Sequence, residues 1–171
     1  MPPGAFLTYL IGSVSFPGLY ARIKGIDLRK RGEGHLGATS IYTATKSVAL
    51  FLVLGVLDAA KGLVAYYILG TWGLVAAMVG HMFPVFFHFR GGNAVSVYYG
   101  GIFYINPALT LICAISEFLI SRAIRSNWRH ALYLLIRAIP AYVHPTVAPA
   151  YLVLLLRHAW FYYLRFHRDS S

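Results

Sequence analysis

Residues 80–95, Gly80-His81-Met82-Phe83-Pro84-Val85-Phe86-Phe87-His88-Phe89-Arg90-Gly91-Gly92-Asn93-Ala94-Val95, close one long apolar run and open the next. Two adjacent glycines let backbone N–H groups turn toward an anion with no Cβ in the way. Arg90 offers a two-pronged donor for a phosphate or carboxylate. The stretch reads as an anion site at a membrane surface, or as a tight turn between two membrane helices with Arg90 as a headgroup anchor. A second stretch with similar chemistry is Gly32-Glu33-Gly34-His35-Leu36-Gly37-Ala38-Thr39-Ser40. Asp58 and Lys61, three residues apart, share one helix face and can pair. Ionisable groups at membrane depth are costly and face a bundle interior or a water-filled cavity. The two therefore read as the polar wall of a cleft or as a structural ion pair. His81 is either a substrate contact or a hydrogen-bonded packing residue.

The elements that must position these residues are membrane helices. The chain has 171 residues, of which 58% are hydrophobic and 12% charged, with a mean hydropathy of +0.63. Soluble domains carry about 25% charged residues. Long apolar runs nearly free of charge predict an all-α, polytopic integral membrane domain over residues 1–171. The net charge of +10 then sets orientation and meets anionic headgroups rather than nucleic acid. Cys113, the single cysteine, suggests neither an intrachain disulfide nor a cysteine metal site. No basic region with a small-residue cleavage site precedes the first run, so that run is expected to be retained.

Residues 4–20 form a marginal first span, interrupted by Gly12-Ser13 and Pro17-Gly18. Residues 21–47 are a basic, glycine-rich loop, cytoplasmic by the positive-inside rule. Residues 47–70 form a clear span and 72–89 return from it. Residues 94–121 are too long for one span, and Asn106-Pro107 divides them. Arg122, Arg125, Arg129 and His130 make a second basic loop. Residues 131–143 are a short or partial span holding Arg137, and 150–166 are the last. The pattern gives about seven membrane segments, some short or broken, with the N-terminus outside and the C-terminus in the cytoplasm.

Four ordered motifs resemble one family. They are Tyr9-Leu10-Ile11-Gly12-Ser13; Gly25-Ile26-Asp27-Leu28-Arg29 with Gly32 to Ser40; Asp58-Ala59-Ala60-Lys61-Gly62; and Gly80 to Val95. In order and spacing over residues 9 to about 107 the chain is similar to the acyl-phosphate-dependent glycerol-3-phosphate acyltransferases of bacterial membranes. Arg157-His158 resembles that family's Arg-His in the last helix. The resemblance implies a seven-helix membrane enzyme that moves a fatty acyl group from acyl phosphate to the 1-hydroxyl of glycerol 3-phosphate, giving lysophosphatidic acid. It implies no cofactor and no metal. Its partners are the two substrates and membrane lipids.

On this resemblance Arg90, Gly91 and Gly92 contact phosphate, and Asn93 stands where the family's Lys binds the glycerol phosphate. Gly34, Gly37, Ala38 and Thr39 cradle the acyl phosphate. Asp58 and Lys61 shape the cleft, His81 is a candidate substrate contact, and His158 orients or polarises the acceptor. The chain also departs from the pattern. Glu33, His35 and Ser40 replace Ser, Asn and Asn in the glycine-rich loop, and Thr43 replaces a phosphate-holding Arg. Asn93-Ala94 replaces Lys-Gly, a serine-bearing loop is altered at residues 122–128, and Trp160-Phe161 replaces Glu-Asn. Lys46 and Arg125 are expected to compensate for lost cations, and His35 to donate or accept a proton. The alternatives are a same-fold enzyme with another acceptor or activated lipid, and a non-catalytic lipid-binding protein.

Overall fold

The computed structural model describes residues 3–31, 35–124 and 128–169, and these are helical with no strand among them. The first apolar run is two helices. α1 (Pro3–Ser13) stops, and α2 (Phe16–Ile23) starts after Ser15, whose hydroxyl caps it by accepting from the Gly18 N–H at 3.0 Å. Pro17 supports the restart because its missing N–H falls in the first turn, where no intrahelical acceptor exists. The short helices α3 (Leu28–Arg31) and α4 (Ala38–Thr45) follow. Leu28, Leu36 and Ile41 bury against Leu54, so this segment forms a cap beside the bundle.

α5 (Val48–Met82) is one helix by its bonds but two by its path. Leu69 leaves helical geometry and Gly70 takes φ +56°, a left-handed conformation that glycine adopts freely. The chain reverses there. Lys61 touches His81 across the break, although an unbroken helix would hold them ~30 Å apart. The two spans expected around residues 47–70 and 72–89 are thus antiparallel limbs. The second limb, residues 71–82, is ~18 Å long. α6 (Val95–Ile105) is ~16 Å. Neither crosses a ~30 Å hydrocarbon layer alone. They meet at the loop 83–94, opposite Lys61. That residue lies 61 − 48 = 13 positions, ~20 Å, along the first limb.

Small residues bring these elements into contact. A Cβ on Gly62 would strike the Val97 carbonyl, and one on Gly100 would strike that of Ala59. Backbone-to-backbone packing of this kind is the usual way membrane helices associate. Leu74, Met78, Val97, Tyr98, Ile102 and Leu154 complete the core.

Asn106 divides the long apolar stretch as the Asn-Pro signal predicts. Its side chain accepts from Leu109 N–H at 3.0 Å, and Pro107 opens α7 (Pro107–Ala123). α8 (Trp128–Val143) and α9 (Ala148–Asp169) finish the bundle. The last three helices are tied by charge. The Arg137 guanidinium donates to both carboxylate oxygens of Glu117 at 2.6 and 2.8 Å, and Tyr99 Oη donates to Oε1 at 2.7 Å. Arg137 also donates to His158 Nε2 at 3.0 Å.

Breaking one side of a buried ion pair costs about 3–5 kcal/mol, whereas replacing both partners with apolar residues is often neutral. Glu117→Ala is therefore expected to lower the thermal midpoint by on the order of 10 °C. The double variant Glu117→Leu/Arg137→Met should recover most of that loss in the same detergent-stability measurement.

Candidate active site

The break between α1 and α2 organises the site. A helix C-terminus leaves carbonyls without partners, and the next N-terminus leaves N–H groups. Lys61 Nζ donates to the carbonyls of Gly12 and Val14 at the end of α1. The Phe16 N–H at the start of α2 faces the Asp58 carboxylate. The two side chains pair at 2.7 Å. The cation thus meets the negative end of one helix dipole and the anion the positive end of the other. Asp58 and Lys61 are 1% and 6% exposed.

Lys61 Nζ also lies 3.2 Å from His81 Nδ1. An ammonium only donates, so Nδ1 accepts and the neutral ring carries its proton on Nε2. His81 is 3% exposed. Its Nε2 lies against Gly92 and has no hydrogen-bond partner among the described residues. The ring therefore presents a donor, suited to a phosphate or a developing oxyanion.

Gly91 and Gly92 sit where the sequence places them, but their N–H groups do not face an anion. They donate inward, at 3.0 Å each, to the carbonyls of Met82 and His81. The glycines are required for approach: a Cβ on Gly91 would overlap the His81 carbonyl, and one on Gly92 the His81 ring. This is a correction to the expected direction of those two N–H groups, and its cause is the unsatisfied end of α5. Asn93 follows with a buried side-chain oxygen that has no hydrogen-bond partner among the described residues. The Arg90 side chain is exposed.

Strand-like pairing joins the glycine-rich loop to this centre. Leu36 N–H donates to the Gly91 carbonyl at 3.2 Å, and the Leu36 carbonyl accepts from Ser15 Oγ at 3.2 Å. His35 is buried, with Nδ1 3.3 Å from Ser40 Oγ, and lies within electrostatic range of His81. Gly37 is the N-cap of α4, so the N–H groups of Ala38 and Thr39 stand at an open helix N-terminus. Gly34, Glu33 and the Arg125 expected as a substitute cation lie outside the described residues.

The structure therefore brings together His35, Gly37, Ala38, Asp58, Lys61, His81, Gly91, Gly92 and Asn93. His158 is elsewhere engaged: Nε2 is with Arg137, and Nδ1 is 3.1 Å from the Leu154 carbonyl. Lys46 closes α4 in a left-handed conformation (φ 58°) with an exposed side chain. The carbonyls of Gly12 and Val14 are site groups that were not among the residues expected from sequence. The available signal was Ser15 before Phe16-Pro17, a helix-start pattern that requires a preceding helix end.

The family model of glycerol-3-phosphate acyltransferase matches residues 4–170. The enzyme of that name from Neisseria meningitidis serogroup C is 39% identical over 128 residues, covering 66% of this chain and 63% of its own length. The Aquifex aeolicus enzyme is 37% identical over 113 residues, 60% of this chain and 58% of that one. The chain thus spans about 63% of the length of the first of these relatives. A crystal structure of PlsY, an integral membrane glycerol 3-phosphate acyltransferase in its glycerol 3-phosphate form, superposes with a TM-score of 0.74 at 26% identity. That match covers 98% of this chain and 88% of the other. The lysophosphatidic acid form gives 0.73 at 24% identity and shares the fold. By matched motifs, bundle and sequence, this integral membrane chain belongs to the glycerol-3-phosphate acyltransferase family.

Proposed function

We propose that this chain transfers a fatty acyl group from acyl phosphate to the 1-hydroxyl of glycerol 3-phosphate, giving lysophosphatidic acid and inorganic phosphate. The observation that carries this reading is the Lys61–His81 contact beside the loop 83–94. It fixes a donor-presenting imidazole at a point where irregular backbone lies at membrane depth, and such backbone is tolerated where it lines a cavity. An aqueous acceptor and a lipid-borne donor must meet at such a place.

The hydroxyl oxygen attacks the acyl carbonyl carbon, the bond from that carbon to the phosphate oxygen breaks, and the hydroxyl proton leaves with the phosphate. His81 Nε2–H stabilises charge on the carbonyl or the leaving phosphate. The α4 N-terminus, at Ala38 and Thr39, receives a phosphate anion. Asn93, whose side-chain oxygen lacks a partner among the described residues, accepts a hydrogen bond from a hydroxyl of glycerol 3-phosphate. His35 supports His81 through the loop it shares with Ser40. The basic loops face the cytoplasm, which puts the N-terminus outside. Asn93 favours one second reading: a neutral amide in place of a cation suits an acceptor with fewer negative charges.

Protein reconstituted in lipid and supplied with palmitoyl phosphate and labelled glycerol 3-phosphate is expected to form lysophosphatidic acid. Product with glycerol but not with glycerol 3-phosphate would move the assignment to the second reading, and no product with either would end it. Asn93→Ala is expected to raise KM for glycerol 3-phosphate roughly tenfold through one lost hydrogen bond to substrate, with KM for palmitoyl phosphate unchanged. Lys61→Met removes the donor that fixes the His81 tautomer. Its ring ¹⁵N spectrum should change from protonated Nε2 alone to a mixture, with kcat falling ~10²–10³-fold.

A further inference from the structure

A groove of about 230 Å³ lies over the break between α1 and α2, walled by α2 and the loop 83–94. Ser15, Leu19 and Arg22 recur at the spacing that puts them on one helix face, and Val14, Phe86 and Phe87 complete the lining. α2 comes close to the loop because residue 18 is glycine: a Cβ there would lie 2.9 Å from the Phe87 ring. Leu19 and Phe86 are 45% and 55% exposed, so the apolar walls are open to whatever surrounds the bundle. Arg22 stands at the far end, 22 − 15 = 7 positions, ~10 Å, along α2 from Ser15. Its side chain is exposed and has no hydrogen-bond or ion-pair partner among the described residues. Arg90, whose N–H donates to the Phe87 carbonyl at 3.3 Å, also carries an exposed side chain. No acidic residue lines the groove. Inside the bundle Asp58 is taken by Lys61 and Glu117 by Arg137.

We propose that this groove is a binding site for an anionic phospholipid of the bilayer, with the lipid phosphate on the Arg22 guanidinium and an acyl chain along Leu19, Phe86 and Val14. An apolar trough with a cation at one end matches a tail with a phosphate at one end. A guanidinium takes a phosphate through two parallel hydrogen bonds. A soluble phosphate would leave the apolar walls uncovered, and a zwitterionic headgroup would set its own cation beside Arg22 and Arg90. Position argues against a reacting lipid. The Val14 side chain lines the groove while the Val14 carbonyl accepts from Lys61. The backbone of the helix break therefore separates the occupant from Lys61 and His81. A lipid packed there steadies the Val14–Ser15 peptide, and with it an acceptor that holds the Lys61 ammonium at membrane depth. The lipid's effect on turnover rests on the acyltransferase reading above; its binding does not.

The test uses the full chain in vesicles of phosphatidylcholine with or without phosphatidylglycerol. Phe86→Trp, combined with Trp72→Phe, Trp128→Phe and Trp160→Phe, places a sole tryptophan at the lip of the groove. Brominated phosphatidylglycerol is expected to quench its fluorescence with an affinity about fivefold that of brominated phosphatidylcholine. Arg22→Gln should bring that ratio near one, and Arg22→Lys should keep part of it. In the chain with its native tryptophans, lysophosphatidic acid should form several-fold faster with phosphatidylglycerol present. Arg22→Gln should abolish that gain and leave the rate in phosphatidylcholine unchanged, whereas loss of folding would lower both rates. If no lysophosphatidic acid forms but the quenching preference and its Arg22 dependence hold, the lipid site stands and the acyltransferase reading falls. Equal quenching by the two lipids, or a preference that survives Arg22→Gln, would overturn the site and mark general attraction to a chain of net charge +10. Displacement of the brominated phosphatidylglycerol by a palmitoyl phosphonate would overturn it as well, making the groove part of a substrate path. Selective quenching with turnover indifferent to the headgroup would overturn the link to Lys61.

Discussion

A lysine ammonium at membrane depth must find acceptors or it will not stay there, and the surroundings of Lys61 follow from that demand. Its acceptors are Asp58, the carbonyls of Gly12 and Val14, and His81. To offer those carbonyls, α1 has to end in the middle of an apolar run. To bring His81 within reach, α5 has to reverse at Gly70. Each is an interruption that an isolated membrane helix would resist, and both are stabilised by one buried cation. Asp58 closes the arrangement by neutralising the charge and facing the start of α2.

The shortened second limb and α6 follow from this geometry. Their meeting point, the loop 83–94, carries strain: His88, Phe89 and Ala94 all adopt left-handed backbone conformations (φ 56°, 57° and 59°), each unfavourable for a residue with a Cβ by roughly 1–2 kcal/mol. The strain is held by the bonds that Gly91 and Gly92 donate to the end of α5 and by Leu36 from the glycine-rich loop. Strained backbone concentrates at functional sites when the surroundings over-determine it. Here the same bonds that hold the loop also fix Gly92 against the His81 ring.

Much of this was legible in the sequence because it is local. The three-residue spacing of Asp58 and Lys61 placed them on one face, and Asn106-Pro107 marked a helix boundary. The membrane fold was legible from the apolar runs, and the family from four ordered motifs. The less legible features depend on direction or on distant partners. A glycine pair permits an N–H to turn either way, and only the unsatisfied end of α5 decides that Gly91 and Gly92 turn inward. His158 carries the right chemistry for a catalyst, yet Arg137, twenty-one positions earlier on another helix, occupies its Nε2.

Lys61 and His81, twenty positions apart, act as one unit across a reversed helix. A double-mutant cycle on acyl transfer, comparing Lys61→Met, His81→Ala and the combined variant, tests it most directly. If the two residues form one unit, kcat/KM of the combined variant will match that of the worse single variant within a few-fold, because removing either partner already dismantles the arrangement. Losses that multiply in the combined variant would mean that the two side chains act independently, and would contradict the account.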